Sequence, residues 1–354
     1  MTVVAFRAKR PMNYEMFRSI HAGLLDDPAV QVVLYGKSGG RSDAGLFEQA
    51  GALPARRRPN WMCKWTAPDV LFSADFLLAT KRAKLSIQIF HGVSIKNYFL
   101  NERIHDYDLV FATGPYMIRR YVERGFFEEG DPKLRPVGLP KTDRLTDGSL
   151  DRAAFLEALG LDPARKTILY APSWGEESSL DRMGEPLLRQ LAAMPHNVLV
   201  KLHDNAYDER YAKRDWRALL DELSGPTFAA PRTFDVIPPM HAADLLVTDI
   251  SSVAFEWLQV DRPLVFMVFP DQLRRWEGRA DLDTWGRRIG AECEDPAALP
   301  ALVEAELADP DRLGPVRREA CADIYFHVGG ATGAALDEFY RALGRPRPAA
   351  AAPA

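Results

Sequence analysis

The segment LLVTDISSVAFEWLQV (residues 245–260) runs from an apolar, β-branched stretch through the polar turn TDISS into an apolar-periodic one. It predicts a buried strand ending at Asp249, a tight turn, and a helix beginning near Val253. Ser251 and Ser252 then fall at a helix N-terminus, where free backbone N–H groups and about half a positive charge attract an anion. Their hydroxyls can donate to phosphate oxygens, or they can act as N-caps that satisfy the helix's own N–H groups. Glu256, one turn further, either reaches a ribose hydroxyl or is an exposed helix glutamate. Ligands in open α/β sheets gather at the carboxyl ends of strands, which favours the phosphate reading of the serines.

Outward from this segment the same alternation recurs. In the second half, TILYAPSW (167–174), NVLVKLH (197–203) and PLVFMVFP (263–270) read as buried strands, separated by helical patterns near 185–193 and 207–223. In the first half, VVAFRA (3–8), VQVVLYG (30–36), DVLFS (69–73), LSIQIF (85–90) and YDLVFATG (107–114) are strands, with helices at 14–25 and from Pro115. Short apolar runs alternating with helices indicate parallel sheets covered on both faces. The turn-rich GLPKTDRLTDGS (138–149) lies between the two sets. The expected fold is therefore α/β, with two Rossmann-like domains, 1–148 and 149–344, facing across a cleft in a GT-B-like manner. The tail 345–354, RPRPAAAAPA, is expected to be disordered.

Composition narrows the function classes. A chain of 354 residues exceeds the roughly 250–300 at which single cores stop growing. With 47% hydrophobic and 27% charged residues, it is ordinary globular material. No run approaches the ~20 apolar residues of a membrane helix, and the N-terminus reads as a strand rather than a signal peptide. Cys63, Cys293 and Cys321 lack metal-ligand spacing and cannot all pair, which fits a reducing cytoplasm. Residues 1–150 carry 22 Lys+Arg against 16 Asp+Glu, so the first half is basic and the second acidic. The clusters Lys9-Arg10, Arg56-Arg57-Arg58, Lys81-Arg82 with Lys84, and Arg119-Arg120 are either solvated faces or an attraction to anionic head groups or a polyanionic acceptor. Their scatter, without any nucleic-acid motif, excludes DNA and RNA as partners.

Three further segments place chemistry at strand ends. In IQIFHGVSIKN (87–97), His91 follows a strand directly and Gly92 permits a tight turn; such a histidine is a general base or an ordinary strand-end hydrogen-bonder. VLVKLHDN (198–205) sets His203 at a strand end, two residues after Lys201, and LYAPSWGEESS (169–179) runs a strand into a polar loop.

Taken in order, these segments resemble the CDP-glycerol glycerophosphotransferase family, which includes teichoic-acid primases and polymerases. His91-Gly92 with Lys96 resembles the family's His-Gly-x-x-x-Lys, and 138–143 its Gly-x-Pro-Arg-x-Asp. Residues 170–174 resemble Tyr-Ala-Pro-Thr-Trp, 201–203 Lys-x-His, and 248–252 Thr-Asp-Tyr-Ser-Ser. The chain departs from the pattern at Asp204, where the family has proline, and at Ile250, where it has an aromatic. In HVGGATGAA (327–335), Val328 and Ala334 stand for the family's Asp and Arg.

The resemblance implies transfer of a polyol phosphate from a CDP-linked donor to an acceptor hydroxyl, with release of CMP, in cell-surface polymer synthesis. It implies His91 as the base, with Gly92 and Lys96 on the acceptor side. His203 is the second catalytic histidine, and Ser173, Trp174, Lys201, Asp249, Ser251, Ser252, Glu256 and Thr332 hold the nucleotide and its phosphates. The acceptor is lipid-linked or a saccharide, and the enzyme is peripheral at the inner face of the cell membrane. No cofactor is expected. Asp106 with Asp108, and Asp281 with Asp283, have metal-like spacing, but one pair opens a strand and the other sits in a charged loop. The alternatives are a glycosyltransferase or sugar-nucleotide epimerase of the same architecture, and an inert nucleotide-binding scaffold subunit.

Overall fold

A computed structural model of the protein describes residues 1–36, 44–74, 76, 82–90 and 92–349. They form two compact units: those within 1–93, 99–143 and 323–349, and 94–98 with 144–322.

The first unit is built on β1 (Thr2–Ala8), β2 (Val30–Gly36), β3 (Arg56–Pro59), β4 (Val70–Ala74), β5 (Leu85–Ile89), β6 (Leu109–Ala112) and β7 (Leu134–Pro136), in the order β3-β2-β1-β4-β5-β6-β7. Every pairing is parallel. The Arg56-Arg57-Arg58 cluster is part of edge strand β3, a place where charge discourages pairing with another chain. The second unit carries β8 (Thr167–Tyr170), β9 (Asn197–Val200), β10 (Phe228–Ala229), β11 (Leu245–Thr248), β12 (Leu264–Met267) and β13 (Ala291–Cys293), ordered β10-β9-β8-β11-β12-β13 and again all parallel. Strand residues are buried on both faces, as continuous apolar runs require.

The division differs from the sequence expectation at two places. Helix Ala331–Ala342, expected in the second domain, belongs to the first: Ala335, Leu336, Phe339 and Tyr340 join its apolar core, and Phe339 lies 6.0 Å from Phe72 of β4. The segment GLPKTD explains how that helix begins. Asp143 accepts from the N–H groups of Ala331 (3.1 Å) and Thr332 (2.7 Å), satisfying two orphan donors of the first turn. Gly138 has φ +95, and a Cβ there would lie 2.3 Å from the Phe326 carbonyl oxygen, so only glycine fits. The second difference is that Ser94–Tyr98 belongs to the second unit. Of the expected tail, Arg345 and Arg347 are fastened to Asp27 and Asp337 at 3.2 and 3.1 Å, while 350–354 lie outside the described residues.

Inside the first unit, His21 is fully buried and shares a 2.8 Å hydrogen bond with the Tyr14 hydroxyl through Nδ1. Burial depresses its pKa from 6.5 to about 4, because the charged ring cannot be solvated there. The folded value lies below the unfolded one, so the neutral ring contributes fully above about pH 6.5, and that contribution is lost as pH falls toward 4. Urea unfolding at about pH 5 should give a stability about 2 kcal/mol lower than at neutral pH. His21→Gln should lack most of that drop; an equal drop in the variant would assign it to other groups.

Candidate functional site

In the second sheet the chain moves outward from β8 to β10, then resumes on the other side of β8 with β11 to β13. The connections leave β8 and β11 in opposite directions, which opens a crevice at the carboxyl ends of these strands. Ser173 and Trp174 follow β8, Lys201 and His203 follow β9, and Asp249, Ser251 and Ser252 follow β11. Seven of the expected residues therefore share one edge of one sheet.

Asp249 organises this edge. It is 1% exposed, and a buried carboxylate stays charged only where donors replace its water. Its Oδ1 accepts from the Ser173 N–H at 2.7 Å; Oδ2 accepts from the Ser179 N–H at 2.7 Å and the Ser179 hydroxyl at 2.9 Å. Tyr170 OH and Ser179 Oγ are 2.9 Å apart, and Thr248 Oγ1 donates to the Ala171 carbonyl at 2.7 Å. Asp249 thus spends its oxygens on the loop after β8. One product is the Ser173 hydroxyl, which is buried and, among the described residues, has no hydrogen-bond partner.

The turn after β11 is shorter than expected. Val253–Glu256 is a single α-helical turn that tightens into 3₁₀ geometry over Trp257–Val260, so its dipole is smaller than that of a full helix. The capping alternative is weak too. Ser252 caps nothing, and Ser251 Oγ accepts from Val253 N–H only at 3.4 Å. Ser251 and Ser252 are both half-buried. Glu256 is 1% exposed, which rules out a solvated helix glutamate.

His203 accepts from the Asn205 N–H through Nδ1 at 3.1 Å, which in the neutral ring leaves the proton on Nε2 as a donor. Its ring lies 5.7 Å from that of Trp174, which in turn lies 5.4 Å from Tyr211. Lys201 donates to the Leu202 carbonyl at 3.1 Å and lies 3.7 Å from Asp204, so the acidic residue at the family's proline position draws on its charge.

Lys96 is the main relocation. Ile95 accepts from the Asp281 N–H and Asn97 donates to the Arg279 carbonyl, both at 3.0 Å, and Lys96 Nζ lies 5.5 Å over the Trp276 ring. These partners all follow β12, so Lys96 sits in the second unit whereas Gly92 sits in the first. Gly92 has φ 139, backbone that favours glycine, and His91 lies outside the described residues. Thr332 is in the first unit, on Asp143, away from the other nucleotide candidates in the division of the chain. Val328 is exposed, and Ala334 lies in the helix that Asp143 caps.

Of the two acidic pairs, Asp108 takes the Ser86 N–H and hydroxyl at 2.7 Å. Asp281 takes the N–H groups of Asp283 and Thr284 at 3.0 Å. Among the described residues no group of three or more His, Cys, Asp or Glu is placed to hold a metal ion, and no helix is long and apolar enough to cross a membrane.

Sequence reasoning missed Arg287. Gln272 donates to the Met267 carbonyl at the end of β12 (3.1 Å) and accepts from Arg287 Nη2 (2.5 Å), which brings this guanidinium to the strand beside β11. Nothing in the sequence separates it from Arg274, Arg275, Arg279 and Arg288 in the same segment.

Comparison with known proteins identifies the family and the fold. The family described as CDP-Glycerol:Poly(glycerophosphate) glycerophosphotransferase matches residues 68–274, more than half of the chain. The teichoic acid ribitol-phosphate primase of Bacillus spizizenii is 24% identical over 71% of this chain and 68% of its own. The teichoic acid glycerol-phosphate transferase of Staphylococcus aureus is 22% identical over 75% and 69%. Among solved structures, the wall teichoic acid polymerase TagF matches with a TM-score of 0.70 at 16% identity, covering 97% of this chain and 89% of that one; the likeness is one of GT-B-like fold.

Because Ser252 caps nothing and Ser251 bonds only at 3.4 Å, Ser251→Ala with Ser252→Ala should cost less stability than the ~0.5–2 kcal/mol of a lost cap. Binding of CDP should weaken at least tenfold in calorimetry. A variant that melts lower yet binds CDP normally would return the serines to a capping role.

Proposed function

We propose, for a chain that belongs to the CDP-glycerol:poly(glycerophosphate) glycerophosphotransferase family, that the carboxyl edge of its second sheet holds the nucleotide diphosphate of the donor. The protein is a transferase that moves a polyol phosphate from a CDP-linked donor to an acceptor hydroxyl in cell-surface polymer synthesis, releasing CMP. The observation that carries the placement of the donor is the Asp249 carboxylate fastening the 173–179 loop beside the Ser173 and Ser252 hydroxyls, which have no structural hydrogen bond among the described residues.

In the reaction the acceptor oxygen attacks the phosphorus that carries the polyol. The bond from that phosphorus to the oxygen shared with CMP breaks, a phosphodiester forms, and CMP leaves with the electron pair. Such transfers depend on positioning and on stabilising charge rather than on covalent help from the protein. The Ser251, Ser252 and Ser173 hydroxyls and the His203 Nε2–H supply donors for the phosphate oxygens, and Trp174 beside His203 gives the nucleotide an aromatic face. His91, next to the turn at Gly92, takes the proton from the acceptor hydroxyl.

The acceptor is a lipid-linked or saccharide hydroxyl, presented at the inner face of the cell membrane. Support comes from the first unit, where Trp61 and Trp65 are 63% and 74% exposed just after the basic edge strand β3. Exposed tryptophans beside arginines suit an anionic bilayer surface.

His91→Asn should keep CDP affinity near normal while CMP release from CDP-glycerol in the presence of acceptor falls by roughly 10²–10⁴-fold, the range for losing a positioned base. Near-normal turnover in a less stable variant would place the base elsewhere. Sedimentation with anionic vesicles should weaken as salt rises from ~0.1 M to ~1 M, since screening shortens over that range. No sedimentation at low salt would remove the membrane from the account.

A further inference from the structure

Two cations on the second unit are incompletely partnered among the described residues. Lys96 makes no ion pair among the described residues. Its ammonium faces the Trp276 ring, and the backbone on either side is pinned by Asp281 and Arg279. It is half-buried, and burial holds its pKa below the ordinary lysine range, while the fields of Asp249 and Glu177 act against that shift. An ammonium taken out of water without a carboxylate is costly, and a π face returns only part of the loss.

Arg287 is tied to Gln272, and among the described residues its carboxylate neighbour within 4 Å is Glu292, at 3.5 Å and half exposed. Its Nε is buried with no hydrogen-bond partner among the described residues. Burial lowers its pKa as well, and Asp249 lies within its electrostatic reach.

Both groups belong to the segment that follows β12 or dock on it, and β12 pairs directly with β11. Both sense Asp249, whose oxygens are already committed to Ser173 and Ser179. Lys96, over a π face with no ion pair among the described residues, and Arg287, with a buried Nε that has no partner among them, keep N–H donors for an anion at this edge.

We infer that Lys96 and Arg287 form the cationic subsite of the donor: they take the diphosphate of a nucleoside diphosphate ester and balance the charge that passes to the leaving nucleoside monophosphate. The inference rests on the donor site proposed above, and it moves Lys96 from the acceptor to the donor. The subsite accepts phosphate oxygens from its ligand and gives N–H donors to them, with no change in covalent bonding at either residue.

The test is calorimetric titration of CDP into the full chain and into Lys96→Gln, Lys96→Arg, Arg287→Gln and Arg287→Lys, with melting curves for each. The expected result is a tenfold or greater loss of affinity in Lys96→Gln and Arg287→Gln, a shallower dependence of affinity on salt, and recovery of most of the affinity in Lys96→Arg and Arg287→Lys. If Arg287→Gln fails to fold, Lys96→Gln decides. Wild type that binds no CDP would overturn the donor site itself. Wild type that binds CDP, with neutral variants binding equally well, would overturn the subsite alone. Charge-conserving variants as weak as the neutral ones would make both residues supports of the loop after β12, and would overturn it too.

Discussion

A carboxylate in a protein interior must find donors, and Asp249 finds three of them on one loop. That constraint sets the geometry of the second unit's working edge. Because the strand order places β8 beside β11, the residue that ends β11 meets the loop that leaves β8. Holding Ser173 and Ser179 by their backbone N–H groups fixes the loop's path between two anchors six residues apart. Trp174 is carried with it and comes to lie against His203 on the next strand. Replacing the carboxylate would leave buried N–H groups unsatisfied, which costs more than the hydrogen bonds gain.

The family pattern acquires separate physical meanings in this frame. The Gly138-to-Asp143 segment is a helix-capping device in the first unit, since Asp143 satisfies the start of helix Ala331–Ala342 and Gly138 makes room for the Phe326 carbonyl. The departure at Asp204 has a local effect on charge, because it lies beside Lys201. Lys96 and Arg287 bear the weight of the inferred subsite because, among the described residues, Lys96 makes no ion pair and the buried Arg287 Nε has no hydrogen-bond partner.

Much of this was legible in the sequence where the chemistry is local. β2 begins and ends where its apolar run does, and the strands around 167–170, 197–200, 245–248 and 264–267 follow from continuous β-branched and leucine-rich stretches. The motifs at the ends of β8, β9 and β11 were visible for the same reason, being each contiguous with its strand. What escaped was non-local. Edge strand β3 reads as a basic cluster, because three arginines hide a strand that pairs on one side only. The last helix changes units because Asp143 lies 188 residues from the N–H it caps. Arg287 is tied to the end of β12 through Gln272, a link no spacing rule encodes, and Lys96 follows a docking of Ser94–Tyr98 that only the folded chain shows.

The central claim, that the nucleotide diphosphate lies at the carboxyl edge of the second sheet, is tested most directly by amide hydrogen exchange with and without saturating CDP. The account predicts slowed exchange in residues 171–179, 203–205 and 249–256, with the far strand β13 unchanged. Saturation with CDP that leaves those three segments exchanging as before, or protects only the first unit, would contradict it.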